Sequence, residues 1–158
     1  MATPDTEIVM KKIMTYNDAN DFGMVSAGDV AKLADLTAEL LAASYHKARY
    51  LTVCLDNLVF FRPVKVRDEV IVKASINCVK NSSMEIGLRI EVSDQGKKKP
   101  EHVTSMYATL VSVDEGLKPK SIPQVKPKNP LQKRRYDEGL ERMARRSELK
   151  KVLSAKAK

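Results

Sequence analysis

The chain has 158 residues, of which 43% are hydrophobic, and its formal net charge is +8. That length suits one domain of roughly 100–150 residues with a tail, and that composition supports a hydrophobic core. No apolar run approaches the about 20 residues that cross a bilayer, so we expect no membrane span. The first residues lack the features of a signal peptide, which favours a cytoplasmic protein, with mitochondria as the alternative.

The positive charge is concentrated near the C-terminus. Residues 118–158 contain 14 Lys and Arg against 4 Asp and Glu, whereas residues 1–117 contain 14 against 16. Such a basic segment could bind nucleic acid or an anionic membrane surface. Its single aromatic residue is Tyr136, and no helix-turn-helix or zinc pattern accompanies it. We therefore expect a solvated, partly docked extension and no nucleic-acid partner.

The sequence gives little support for metal or thiol chemistry. Cys54 and Cys78 are isolated in apolar segments, and His46 and His102 have no partner at ligand spacing. Buried, reduced thiols are the simplest interpretation of the two cysteines. We expect no metal site and no redox cofactor.

The N-terminal part predicts a strand over 7–16, a polar loop over 17–28 and a helix over about 27–45. Ser26 is well placed to cap the helix. Apolar residues lie on most sides of this helix, which is typical of a helix enclosed by other structure.

One carboxylate, Asp35, lies within that apolar helix. A buried charge costs several kcal/mol unless it is paired or used. From the residues alone, Asp35 is either a structural carboxylate, partnered by Lys32 or Thr37, or a functional one.

From residue 50 onward the hydrophobic period changes to two, which predicts four more strands. Their expected ranges are 51–61, whose β-branched and aromatic residues predict a buried strand, 70–79, 84–92 and 101–113. One helix and five strands with short connections predict an α+β domain over 1–116, built on an antiparallel sheet. Four prolines then predict an extended linker over 117–130. High helix propensity predicts a basic C-terminal helix and tail over 131–158, helical to about residue 154.

Three motifs occur in order: Asp18-Ala19-Asn20-x-x-Gly23-x-Val25, Lys32-Leu33-Ala34-Asp35 and Ser83-Met84-Glu85-Ile86-Gly87. With these motifs the chain resembles the hotdog-fold acyl-CoA thioesterases, and among them the cytosolic acyl-CoA hydrolases. The resemblance implies the hotdog fold, an antiparallel five-stranded sheet wrapped around one long central helix. It also implies hydrolysis of fatty acyl-CoA to fatty acid and coenzyme A. The animal hydrolases carry two such domains in tandem and this chain carries one, so we expect a homodimer or a trimer of dimers.

The same resemblance assigns the catalytic residues. It makes Asp35 the general base or nucleophile, and Asn20 the residue that orients the water or the thioester carbonyl. A helix N-terminus can stabilise an oxyanion, so Ala27 and Gly28 are candidates for the carbonyl site. Asp35 lies ~10–12 Å from that helix end, too far to act on a carbonyl held there. In the resembling family, dimerisation places the acid of one domain opposite the loop of the other.

Coenzyme A carries phosphates, which require cations and N–H donors. By the resemblance, we expect these from the hairpin Lys80, Asn81, Ser82 and Ser83, followed by Arg62. Leu58, Phe60, Phe61 and Met84 could line the acyl channel, although core packing explains each of them equally well. A solvated surface charge is the alternative for each cation.

The chain departs from the family at the helix start, where Ser26-Ala27-Gly28 replaces the common His-Gly-Gly. Ala27 adds a methyl group where glycine lets the backbone approach a ligand. This departure and the basic tail favour the alternative hypothesis, a non-catalytic acyl-CoA-binding or regulatory hotdog protein.

Overall fold

A computed structural model describes residues 5–94 and 99–156, which form one sheet with a long helix on each face. The elements are β1 (Glu7–Ile13), α1 (Ala27–Tyr45), β2 (Arg49–Asp56), β3 (Glu69–Lys80), β4 (Ser83–Ser93), β5 (Glu101–Val113) and α2 (Pro130–Lys156). The strand order is β1-β3-β4-β5-β2, and every neighbouring pair is antiparallel. The predicted α+β architecture is therefore confirmed. The predicted loop at 94–100 lies partly outside the described residues.

Helix α1 packs on one face of the sheet. The predicted cap is present, since Ser26 Oγ accepts a hydrogen bond from the Asp29 backbone N–H at 3.1 Å. The core contains the buried face of α1 and the inward residues of β4: Val30, Leu33, Ala34, Thr37, Ala38, Leu41, Ala42, Met84, Ile86, Leu88, Ile90 and Val92. Leu36 and Leu40 stay 47% and 44% exposed, so one side of the helix has no cover within one subunit.

Strand β2 differs from its prediction. It ends at Asp56, because Asn57 turns the backbone with a φ of 62°, and it does not extend to residue 61. It is also an edge strand, and not a buried one, since Leu51, Val53 and Leu55 are exposed. A free strand edge carrying apolar side chains is a surface suited to pairing with another chain.

Helix α2 lies on the other face of the sheet. Its buried Gly139 lies against the sheet. Arg142 and Arg146 both bind the carboxylate of fully buried Glu85 on β4. A buried carboxylate is tolerated only with such partners. The tail is consequently docked more extensively than a solvated extension would be, although residues 147–156 are exposed.

The segment between β5 and α2 contains no helix and runs along the β3–β4 hairpin. There the backbone N–H of buried Ile122 donates to the Asn81 carbonyl at 2.8 Å. Within 5–94 and 99–156, neither α1 nor α2 combines the length and hydropathy required to traverse a bilayer.

Candidate active site

The loop that carries Asn20 is held by a buried carboxylate. Asp18 accepts hydrogen bonds from Lys12 Nζ at 2.5 Å, from the Thr15 N–H at 2.8 Å and from the Thr15 hydroxyl at 2.9 Å. The bond from Lys12 and the Thr15 N–H lower the pKa of Asp18 to about 2, despite its burial. The loop therefore starts from a fixed point on the end of β1.

Within this loop the Asn20 side chain has a defined orientation. Its Oδ1 accepts from the N–H groups of Phe22 at 3.0 Å and Met24 at 3.1 Å. The backbone N–H of Asn20 donates to the Met24 carbonyl at 2.7 Å. The side-chain contacts use only the amide oxygen, and within the described chain the amide nitrogen Nδ2 has no acceptor. Asn20 is exposed, so Nδ2 is available as a donor to a ligand.

Asp35 is half-buried, and its partner is a residue that the sequence analysis did not single out. The Thr52 hydroxyl donates to Asp35 Oδ1 at 2.7 Å. The expected alternatives do not bind it, because the Thr37 hydroxyl donates to the Leu33 carbonyl at 2.7 Å instead. In the part of the chain that the structure describes, no cation lies within 4 Å of Asp35, Lys32 included. The sequence feature that could have indicated Thr52 is its hydroxyl, which stands between the apolar residues Leu51 and Val53 of β2.

A cavity of about 380 Å³ lies at the start of α1. It is lined by Val25, Ala27, Phe60, Phe61, Arg62, Pro63 and Val64. The structure thus brings together predicted residues of each kind: Ala27 for the carbonyl, Phe60 and Phe61 for the acyl chain and Arg62 for coenzyme A. Arg62 is ion-paired with Glu101. A Cβ at Gly28 would meet only Ser26 Oγ, at 3.7 Å, so no close protein contact requires glycine there.

Other predicted residues lie away from that cavity. The hairpin Lys80–Ser83 lies beside Val111 and Ser112 at the end of β5, whereas Arg62 binds Glu101 at its start. These two ends are separated by about 35 Å at ~3.4 Å per strand residue. One subunit's hairpin and Arg62 therefore cannot hold the same headgroup. Met84 packs in the core, and Leu58 is 38% exposed.

The thiols are not placed as nucleophiles. Burial raises the pKa of the Cys78 thiol to about 12 and also raises the pKa of Cys54. Both side chains are accordingly protonated near neutral pH, and Cys78 is buried as expected, while Cys54 is half-buried. Among residues 5–94 and 99–156, no three His, Cys, Asp or Glu side chains are grouped as metal ligands.

Comparison with known proteins supports an acyl-CoA hydrolase. Residues 22–99 match the model of the Thioesterase superfamily. The acyl-CoA thioester hydrolase YciA of Salmonella typhimurium is 30% identical over 127 residues, which cover 77% of this chain and 93% of that protein. Protein VdlD of Helicobacter pylori is 30% identical over 142 residues, or 90% of this chain and 81% of that one.

Solved structures agree with these relatives. An acyl-CoA hydrolase of Staphylococcus aureus, in complex with butyryl coenzyme A, coenzyme A and coenzyme A disulfide, superposes with a TM-score of 0.80 at 26% identity, over 97% of this chain and 96% of that one. Variants of that hydrolase have been solved with alanine replacing an asparagine, an aspartate or a threonine, at positions 15 and 17 residues apart. A hexameric acyl-CoA thioesterase gives a TM-score of 0.81 at 25% identity, over 90% and 92%. The chain belongs to the hotdog-fold acyl-CoA thioesterases of the Thioesterase superfamily.

Proposed function

We propose that this protein hydrolyses fatty acyl-CoA at a site that combines Asp35 of one subunit with Asn20 of another. The observation that carries the proposal is the state of Asp35. Its carboxylate is half-buried, oriented by Thr52 and free of any cation within the described residues. A carboxylate held in this way can act as a base or nucleophile without first breaking an ion pair.

The position of Asp35 is the argument for a shared site. The helix rise of ~1.5 Å per residue puts it ~12 Å from Ala27, so it cannot reach a carbonyl bound at its own helix start. Its partner Thr52 belongs to β2, one of the two edge strands of the sheet. Exposed Leu36 and Leu40 lie on the same helix as Asp35. Pairing of two β2 edges would cover these side chains and bring a second subunit to Asp35.

The mechanism follows from the orientation of the two side chains. Asn20 Nδ2 and the N–H groups at the start of α1 donate to the thioester oxygen and stabilise its developing negative charge. In one route, Asp35 takes a proton from a water molecule as the water oxygen attacks the thioester carbon, and the carbon–sulfur bond then breaks to release the fatty acid. In the other route, Asp35 attacks the thioester carbon itself, the carbon–sulfur bond breaks to leave an acyl anhydride on Asp35, and water hydrolyses that anhydride to the fatty acid and free Asp35. In both routes the coenzyme A thiolate takes up a proton. The products are a fatty acid and coenzyme A.

The Staphylococcus aureus hydrolase supports this choice of residues. Asn20, Asp35 and Thr52 follow one another at 15 and 17 residues, the same separations as the asparagine, aspartate and threonine changed in that protein. Thr52 therefore joins the proposal as the residue that positions Asp35.

The remaining assignments rest on chemistry and on the relatives. The cavity at Ala27, which Phe60 and Phe61 help to line, suits the acyl chain, and Arg62 together with another subunit's Lys80–Ser83 hairpin suits the phosphates of coenzyme A. We propose a homodimer or a trimer of dimers, since a hexameric relative shares the fold. No cofactor is invoked, because coenzyme A is part of the substrate. The cytoplasmic location stays a prediction.

The test is hydrolysis of acyl-CoA esters across a range of chain lengths. We expect Asp35→Ala and Asn20→Ala each to lower kcat by about 100-fold or more. Asp21→Ala, an exposed carboxylate next to Asn20, is the matched control and should retain full activity. If both variants remain as active as the wild type, the assigned roles are wrong. Binding of coenzyme A without turnover of any ester would establish the regulatory alternative instead.

A further inference from the structure

Helix α2 crosses the strands in their order in the sheet. Near its start, Arg135 binds Glu7 on β1 at 3.1 Å. One turn later, Gly139 lies so close to β3 that a Cβ added to it would stand 2.8 Å from Cys78 Sγ.

The second half of the crossing ends at the free edge. Arg142 binds Glu85 on β4 at 2.7 Å, and Arg146 binds Asp56 on β2. Beyond Arg146 the helix therefore leaves its own sheet at β2, the edge at which we propose that two subunits pair.

The part of the helix beyond that edge is long enough to reach a neighbour. Residues 147–156 are helical and exposed throughout. From Arg146 to Lys156 the helix extends ~15 Å, about the width of three strands at ~4.8 Å each. Leu149, Val152 and Leu153 are 56%, 50% and 57% exposed, and their spacing of three and four residues puts them on one side.

The sheet carries a matching uncovered side chain. Leu51 on β2 pairs with Val111 of β5, which shares a face with Thr109 and Tyr107, the two β5 residues that α2 contacts. Leu51 therefore lies on the α2 face of the sheet, and it is 45% exposed because its own α2 passes over Asp56 instead.

We propose that residues 147–156 of α2 pack on the outer sheet face of the partner subunit, around Leu51 of the partner subunit. This rests on the β2 pairing proposed above. In an antiparallel pair of β2 strands, the end that bears Asp56 in one subunit lies beside the end that bears Arg49 in the other. Residues 147–156 of each helix, the extension, then cover Leu51 of the partner subunit, which the partner's own α2 leaves exposed. Charge favours this occupant, since the basic tail faces a globular part of net charge −2.

Intersubunit disulfide formation tests the contact. One subunit carries Leu51→Cys and a differently tagged subunit carries Leu153→Cys, both with Cys54→Ser, and the two are expressed together. We expect a mixed disulfide that joins the two tags. Leu131→Cys is the matched control, because Leu131 is 46% exposed at the opposite end of the same helix. It should form no such disulfide.

A second variant measures the energetic consequence. Leu149→Ser with Leu153→Ser should raise the dimer dissociation constant by about tenfold or more, because apolar surface is lost from two symmetric contacts. Leu131→Ser should leave the constant unchanged. A dimeric wild type with no mixed disulfide overturns this inference and leaves the β2 pairing intact. A monomeric wild type overturns both. Affinity of the extension for anionic vesicles, without a mixed disulfide, would assign it to a membrane surface and also overturn the inference.

Discussion

Asp18 shows how a buried carboxylate fixes the start of the loop that carries Asn20. We expect Asp18→Asn to lower the free energy of unfolding by about 1–2 kcal/mol at pH 7, because an amide cannot bind Lys12 and Thr15 as the carboxylate does. The pKa of Asp18 is about 2 in the folded protein, below its usual 3.8. Its contribution is therefore complete above about pH 4 and is lost as the pH falls towards 2. Urea unfolding at a series of pH values measures this.

The matched control for that variant is Asp21→Asn in the same loop. Asp21 is exposed, and no partner binds its carboxylate within the described residues. Its replacement should change the free energy of unfolding little at any pH. A pH-independent loss in Asp18→Asn would contradict the assignment to the Lys12 and Thr15 bonds.

Thr52 makes one hydrogen bond with Asp35, and an isosteric variant isolates it. We expect Thr52→Val to lower kcat by about 10- to 100-fold with little change in KM, because hydrogen bonds to charged groups contribute about 1.5–3 kcal/mol. Thr52→Ser keeps the hydroxyl and should restore most of the activity. Thr104→Val is the control, since the buried Thr104 hydroxyl has no partner within the described chain. Equal losses in Thr52→Val and Thr52→Ser would show that the methyl group matters and not the hydrogen bond.

At the scale of elements, Gly139 decides whether α2 can lie flat on the sheet. In an isolated helix, Gly→Ala is stabilising by about 1 kcal/mol. Here the new Cβ would stand 2.8 Å from Cys78 Sγ and 3.2 Å from Glu85 Oε1. Overpacking of this kind costs about 1–3 kcal/mol, so we expect Gly139→Ala to lower the free energy of unfolding. Thermal or urea unfolding gives the sign directly.

The second half of this experiment uses Cys78, the nearest of the atoms that the new Cβ would meet. Cys78→Ala removes the sulfur, so in a double-mutant cycle it should recover part of the loss caused by Gly139→Ala. The recovery is incomplete because the Glu85 carboxylate remains. A stabilising Gly139→Ala would mean that α2 is not held against the sheet at this point.

The elements differ in how far the sequence could predict them. Helix α1 and strands β3 to β5 follow from local periodicity, and Met84, Ile86, Leu88, Ile90 and Val92 are all buried as the alternation indicated. The apolar residues of β2 predicted a buried strand, whereas the structure has an exposed edge strand. A pattern of apolar residues does not distinguish the core from a subunit interface. The docking of α2 was underestimated for another reason. Glu85, Arg142 and Arg146 are far apart in sequence, and only the fold brings them together.

The candidate site was predictable to a different extent. Asn20 and Asp35 were predicted because their motifs resemble those of the family in order and spacing. Thr52 did not, because its role depends on which strand α1 faces. Nor could the sequence indicate that the Lys80–Ser83 hairpin and Arg62 lie at opposite ends of β5. That separation is a property of the sheet, and it is why the proposed coenzyme A site draws on more than one subunit.

At the scale of the molecule, the proposed site makes one subunit an incomplete enzyme. Asn20 lies in the loop before α1, whereas Asp35 lies about two turns into that helix, ~12 Å from Ala27. A carbonyl held at the start of α1 is therefore out of reach of Asp35 in the same subunit. The uncovered Leu36 and Leu40 and the free edge of β2 surround Asp35, which is where a second subunit would supply the missing asparagine.

Mixing two inactive variants tests this directly. Asn20→Ala and Asp35→Ala each remove one half of every site, so each should be inactive alone. When equal amounts exchange subunits at random, half of the dimers are mixed, and in each of these one of the two sites regains both side chains. We therefore expect about one quarter of wild-type activity, because the mixed dimer pairs an intact Asn20 with an intact Asp35 only across the interface. If both residues served the same subunit, no mixture could regain activity, so a mixture as inactive as its parents, with subunit exchange verified by tags, would show that the site does not cross the interface.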